Sequence, residues 1–107
     1  MVALKSNTTG SRTQTRAAIV AGARTPMVKM GGALRDMHVA DLAKTVIQET
    51  LYRANWPADR IDEVIVGNVV MPADAANLAR VSALYAGVPP VVPALTVQRN
   101  CASGMEA

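Results

Sequence analysis

The sequence has few of the residues that mark several large classes of protein. Its 107 residues include one Cys, one Trp, two Tyr and no Phe. A single cysteine forms neither an internal disulfide nor a multi-thiolate zinc site, which excludes a disulfide-stapled secreted fold and a zinc ribbon. No metal-ligand spacing occurs, and no apolar run approaches the ~18 residues that a transmembrane helix needs. We therefore expect no metal centre and no membrane association.

Charged residues are also scarce, at 18% of the chain, whereas 50% of the residues are hydrophobic. This balance is too apolar for a disordered protein, and the length suits one small domain. The formal net charge of +3 comes from the first 16 residues, where Lys5, Arg12 and Arg16 meet no acidic residue. The rest of the chain is neutral and poor in aromatic side chains, so we expect no nucleic-acid partner.

Residues 1–16 are rich in Ser, Thr, Asn and Arg and show no apolar periodicity. This composition predicts a disordered tail. A transit peptide is the alternative, because such peptides are rich in Arg and Ser and poor in acids. No secretory apolar segment is present, so we expect a cytoplasmic location, with the mitochondrial matrix as the alternative.

From residue 17 onward the sequence alternates strand and helix signals. Apolar runs at Ala17–Gly22, Glu63–Val70 and Ala94–Gln98 predict three buried strands. Apolar residues at helical spacing predict a helix of about four turns from Val39 to Ala54 and a shorter helix over Asn77–Ala86. The β-α-β-α-β order is typical of an α/β layer with parallel strands and right-handed crossovers.

Polar residues mark the ends of both predicted helices. Asn55 and Pro57 would stop the first helix, and Asp74 or Asn77 would cap the second. His38, which is the only histidine, stands just before the first helix, where we expect a surface or capping role. A Cys–His pair would need the start of this helix to fold over the strand ends, and nothing in the sequence requires that.

Cys101 follows the third predicted strand by three residues, at a strand-to-helix turn. Catalytic groups in α/β sheets gather at the carboxyl ends of strands. If Ala102–Ala107 begins a helix, the helix dipole and free backbone N–H groups favour a thiolate and can hold an oxyanion. Cys101 is therefore a candidate nucleophile. The alternative is a small buried hydrophobic residue, the commonest fate of a lone cysteine.

The segment Cys101–Ala107 resembles the nucleophile segment of the thiolases, the family that includes acetyl-CoA acetyltransferases and 3-ketoacyl-CoA thiolases. Gln98 stands where the family usually has Asn or another small polar residue, and Met71 stands where it often has Gln. Further motifs occur in the order and spacing of the family: Arg24-Thr25-Pro26, Gly31-Gly32-Ala33-Leu34, Asp41-Leu42, Gly67-Asn68-Val69, Asn77-Leu78-Ala79-Arg80 and Pro93-Ala94-Leu95-Thr96-Val97.

The resemblance implies that residues 17–107 are a truncated N-terminal half of a thiolase-like α/β/α layered domain, ending just after the nucleophile. It implies that Cys101 accepts an acyl group from acyl-CoA, and that its backbone N–H is one donor to the oxyanion. Thiolases cleave 3-ketoacyl-CoA with CoA or condense two acetyl-CoA molecules, as part of fatty acid metabolism. CoA and acyl-CoA would be substrates, with no tightly bound cofactor.

The resemblance also implies a homo-oligomer, a dimer or tetramer, in the full-length form. The family needs a His that activates the nucleophile and a second Cys that moves the proton, and both lie in the C-terminal half of its members. We therefore expect the 107-residue chain alone to be inactive. The alternatives are a related ketoacyl synthase, which uses a similar Cys, and a non-catalytic truncated subunit.

Overall fold

A computed structural model describes residues 16–107 of the chain. Apart from Arg16, the predicted tail of residues 1–16 and its transit-peptide alternative lie outside the described residues. Short 3-10 turns at Ala58–Arg60 and Ala73–Ala75 lie between the main elements. In chain order, the helices and strands are α1 (Val39–Ala54), β1 (Val64–Gly67), α2 (Leu78–Tyr85), β2 (Ala94–Val97) and α3 (Ser103–Glu106).

Helix α1 has the bounds that its apolar spacing predicts, and both of its ends are capped. His38 is the N-cap, and its Nδ1 accepts a hydrogen bond from the backbone N–H of Ala40 at 3.1 Å. Asn55 ends the helix in the left-handed conformation, with φ at 49°. On the exposed side, Glu49 pairs with Arg53 one turn later at 2.6 Å. The predicted capping role of His38 and the stop at Asn55 are confirmed.

Strands β1 and β2 form a parallel sheet in which Val64 faces Ala94 and Gly67 faces Val97. The α/β class with parallel strands is therefore confirmed. Both strands are shorter than predicted, and β1 ends three residues early. The side-chain amide of Asn68 donates to the carbonyl of Val70 at 2.5 Å. This local bond competes with the ladder and turns the chain away from the sheet.

The prediction of a strand over Ala17–Gly22 is wrong. Residues 16–29 take part in no strand, and Ile19 is 91% exposed. The segment runs beside the end of α1, where it lines an apolar cavity of about 420 Å³ together with Leu51, Ala54 and Trp56. A strand needs a neighbour for its backbone hydrogen bonds, and residues 16–29 pair with neither strand of the described sheet, which consists of β1 and β2. Apolar composition alone does not supply that neighbour.

The side chain of Asn77 locks the start of α2 onto β2. Its Oδ1 accepts from the backbone N–H of Arg80 at 3.1 Å and from the hydroxyl of Thr96 at 2.8 Å. Its Nδ2 donates to the carbonyl of Ala94 at 3.1 Å. The Thr96 hydroxyl in turn accepts from the N–H of Ala79 at 2.9 Å. Asn77, rather than Asp74, is therefore the cap of α2, and the cap also fixes the sheet.

The connection from α2 to β2 is held by one arginine. The guanidinium of Arg80 donates to the carbonyl of Val92 at 2.9 Å and to the carbonyl of Pro90 at 2.7 Å. Gly87 begins this connection with φ at 89°, a conformation that favours glycine. Two charge-assisted bonds to backbone carbonyls give the loop one defined path into β2.

The core consists of two small apolar clusters rather than one large one. Both involve α2, which packs against α1 and against the sheet. The first is built on Ile61, Ala83, Val88 and Val92, and the second on Ala40, Ala75 and Leu78. Among residues 16–107, no helix is long and apolar enough to cross a bilayer.

Ser82 is a polar residue on the buried face of α2. It is fully buried, and its hydroxyl has no hydrogen-bond partner among the described residues. A buried hydroxyl without a partner lowers the stability of the folded state, because folding removes its hydrogen bonds to water.

We therefore expect Ser82→Ala to raise the free energy of unfolding by about 1 kcal/mol, measured by urea denaturation. Part of any gain would come from the higher helix propensity of alanine. Thr45→Ala, which replaces an exposed hydroxyl in α1, is the control for that part, since water can reach the carbonyl of Asp41 to which this hydroxyl donates at 2.8 Å. A gain at Ser82 no larger than the gain at Thr45 would show that the buried hydroxyl carries no penalty.

Candidate active site

Cys101 lies at the carboxyl edge of the sheet, after the end of β2. Strand β2 ends at Val97, three residues continue the chain, and the thiol of Cys101 is free and exposed. Helix α3 begins at Ser103, two residues after the cysteine. The predicted strand-to-helix turn is confirmed, and Cys101 is exposed rather than buried in the described residues.

The turn that carries Cys101 has an unusual backbone. Asn100 adopts the left-handed conformation with φ at 47°, which costs energy for residues with a side chain, although least for Asn and Asp. Arg99 and Cys101 form an isolated backbone bridge on either side of it. The N–H of Ala102 also donates to the carbonyl of Arg99 at 3.0 Å. The chain therefore reverses sharply at Asn100 and directs Cys101 outward.

Ser103 closes this turn from the inside. Its side chain accepts from the backbone N–H of Arg99 at 2.8 Å and donates to the carbonyl of Asn100 at 2.7 Å. The backbone N–H of Ser103 reaches the same carbonyl at 3.1 Å. Ser103 is 3% exposed, in contrast to the exposed Cys101. We call these three side-chain and backbone bonds the Ser103 clamp.

Gly67, the last residue of β1, provides the space in which α3 lies. A Cβ built at Gly67 would stand 2.2 Å from the carbonyl oxygen of Ser103 and 2.8 Å from the nitrogen of Gly104. Both are backbone atoms, which cannot move aside as a flexible side chain can. The turn after β2 therefore rests directly on the end of β1, and only glycine permits that approach.

An ion pair spans the outer side of the same turn. Arg99 contacts Glu106 through Nη1 and Oε2 at 2.5 Å, with both side chains substantially exposed. Exposed pairs contribute little to stability. The pair joins the residue before the turn to the last residue of α3 and so adds a second tie across Cys101.

His38 lies outside this arrangement of hydrogen bonds. Its Nδ1 caps α1 by accepting from Ala40, and its Nε2 lies 3.2 Å from a carboxylate oxygen of Asp74. Both ring nitrogens therefore have partners other than Cys101. The described residues contain no hydrogen-bonded Cys–His pair, and no group of three or more His, Cys, Asp or Glu side chains in them could hold a metal.

Two residues of this site were not identified as site residues from the sequence. Gly67 gave a signal, because glycine at the end of a buried strand is typical of a close backbone approach. Ser103 gave none, since its hydroxyl acts on residues three and four positions earlier, and only the folded turn brings them together.

Comparison with known proteins gives matches to one family over most of the chain. The family model described as Thiolase, N-terminal domain, matches residues 17–107. A probable acetyl-CoA acyltransferase of Staphylococcus aureus strain NCTC 8325 is 39% identical over 93 residues, which are 87% of this chain and 24% of that protein. The chain therefore spans about a quarter of the length of the curated relatives it matches.

Solved structures show the same architecture. The crystal structure of the Bacillus anthracis acetyl-CoA acetyltransferase matches with a TM-score of 0.80 and 43% identity, over 83% of this chain and 23% of that one. A thiolase from Ascaris suum in complex with coenzyme A matches with a TM-score of 0.79 and 30% identity, over 82% of this chain and 23% of that one. The predicted thiolase-like α/β fold is confirmed.

We expect Gly67→Ala to lower the free energy of unfolding by about 1–3 kcal/mol, because the added methyl group must displace the backbone of α3. Urea denaturation followed by circular dichroism measures this loss. Gly104→Ala is the matched control, since a Cβ at Gly104 meets nothing within 4 Å. Equal stabilities of the two variants would contradict the close packing of α3 on β1.

Proposed function

Because the chain belongs to the thiolase family, we propose that it carries the nucleophile that accepts the acyl group in a thiolase-type acyltransferase. That nucleophile is Cys101. The observation that carries the proposal is the position of Cys101. Its thiol is exposed at the carboxyl edge of a parallel sheet, at a turn fixed by backbone and side-chain bonds.

The proposed reaction begins with attack of the Cys101 sulfur on the 3-keto carbon of a 3-ketoacyl-CoA. The thiol gives up its proton, the bond between carbons 2 and 3 breaks, carbon 2 takes a proton in turn, and acetyl-CoA leaves. The shortened acyl chain remains as a thioester on Cys101. The sulfur of a CoA molecule then attacks this thioester, and Cys101 is released as a thiol. In reverse, the same steps condense two acetyl-CoA molecules.

The turn at Cys101 suits this chemistry because it is held before any substrate arrives. Attack on a carbonyl carbon places negative charge on its oxygen, and fixed N–H donors near the nucleophile stabilise that charge without reorganising. The backbone N–H of Cys101 is the candidate donor in this chain, because the N–H groups of Ala102 and Ser103 already donate to the carbonyls of Arg99 and Asn100. Coenzyme A is present in the related Ascaris suum thiolase structure, and we propose acyl-CoA and CoA as substrates here.

The first test is acetyl transfer to Cys101 from a simple acetyl thioester, read as an added acetyl mass on the intact chain. The chain has one cysteine, so thiol acetylation reports on Cys101 alone. We expect the folded chain to react at least about tenfold faster than an unstructured peptide of residues 97–105, because only the fold orients oxyanion donors. Equal rates would overturn the proposed role of Cys101, and Cys101→Ala is the blank.

The second test concerns turnover. We expect the 107-residue chain alone to show no sustained cleavage of acetoacetyl-CoA by CoA, measured by chromatography of acetyl-CoA. Thiolases use a His and a second Cys to move protons, whereas this chain has no second cysteine and its one histidine caps α1. Without those groups, any reaction should stop after one equivalent per chain. Multiple turnovers that disappear in Cys101→Ala would contradict this expectation.

A further inference from the structure

We propose that Ser103 is a positioning residue for Cys101, acting through the backbone of Asn100 rather than by contact with substrate. This proposal rests on the proposed function of Cys101 and names a second residue on which that function depends. Its basis is the Ser103 clamp, in which one buried hydroxyl binds the residue two positions before Cys101 and the residue immediately before it.

The turn at Asn100 has an energetically costly backbone conformation. Asn100 has φ at 47°, and residues in this region persist only where the surrounding structure holds them there. The side chain of Asn100 is exposed and makes no hydrogen bond to the described residues that would hold it. Its carbonyl, by contrast, accepts from both the hydroxyl and the backbone N–H of Ser103, at 2.7 Å and 3.1 Å.

The hydroxyl of Ser103 that holds this turn belongs to a buried residue. Ser103 is 3% exposed, so its hydroxyl cannot replace these partners with bulk water. Removal of the hydroxyl would leave the backbone N–H of Arg99 without its acceptor. The carbonyl of Asn100 would lose one of its two donors. Both losses fall on the residues that set the direction of Cys101.

Two reactions of the Cys101 thiol distinguish a positioning role of Ser103 from a general effect on stability. Attack of a thiolate on a thioester creates an oxyanion that must meet fixed N–H donors, whereas alkylation by iodoacetamide displaces iodide and creates no oxyanion. A sulfur that is displaced but still exposed therefore loses rate in acetyl transfer and keeps most of its rate in alkylation. For variants that circular dichroism shows to be folded, the ratio of the two rates therefore reports on the position of Cys101.

The experiment compares the unmodified chain with Ser103→Ala and Ser103→Thr, under conditions in which circular dichroism shows each variant folded. For Ser103→Ala we expect acetyl transfer from an acetyl thioester to fall about fivefold, the size of one hydrogen bond, with alkylation changed less than about twofold. Ser103→Thr keeps the hydroxyl and should restore acetyl transfer. Thr50→Ala removes another hydroxyl bound to a backbone carbonyl, that of Val46 at 2.7 Å, and should change neither rate.

A fall of the two rates in parallel, or no fall in Ser103→Ala, would overturn the proposal. So would failure of a folded Ser103→Thr to restore acetyl transfer. If Ser103→Ala does not fold, amide hydrogen exchange of the unmodified chain gives the answer. Protection of the Arg99 amide supports the clamp, and exchange at the rate of an unstructured peptide overturns it. Absence of acetyl transfer in the unmodified chain would instead contradict the role of Cys101, and the exchange result would still decide on the clamp.

Discussion

The rest of the structure depends on the hydrogen bonds by which the side chain of Asn77 joins the start of α2 to β2. Parallel strands cannot be joined by a tight turn, so a crossover must lie between them and return to the sheet at a defined place. Asn77 makes the start of that crossover and the second strand a single unit, since its amide binds the first turn of α2, the carbonyl of Ala94 and the hydroxyl of Thr96. Arg80 secures the other end of the connection.

The position of Cys101 follows from these hydrogen bonds in a short series of contacts. Thr96 is tied to α2, and one residue later β2 ends opposite Gly67 of β1. The absence of a side chain at Gly67 lets the backbone of Ser103 rest on β1. Ser103 then holds the backbone on both sides of Asn100. The orientation of one thiol therefore depends on residues from both strands.

The sequence predicted those features that depend on local chemistry. The apolar stripe from Val39 to Ala54 defines α1, because helix periodicity is a property of one segment and a core needs only one apolar face. Asn77 and Asn55 were recognisable for the same reason, since capping is decided within one turn. Cys101 was identified as a candidate from its place after a strand and from its resemblance to a family motif.

Features that depend on a partner elsewhere in the chain could not be predicted in this way. Ala17–Gly22 has the composition of a buried strand, yet pairing is decided by the neighbouring backbone, and Ile19 remains exposed. The role of Ser103 cannot be read from the sequence, because a small polar residue two positions after a cysteine gives no sign that it is buried. It becomes visible only when the left-handed turn brings its hydroxyl to Arg99 and Asn100.

The same contrast explains what the described residues can contribute to catalysis. Acyl transfer requires a nucleophile held in one direction and donors for a transient oxyanion, and backbone geometry alone can supply both. Completion of a thiolase cycle also requires groups that accept and return protons at each bond-making step. His38 cannot take that role while it caps α1 and pairs with Asp74. Under the proposed function, acceptance of an acyl group and turnover are therefore separable properties, and we propose that the turn at Cys101 provides for the first of them.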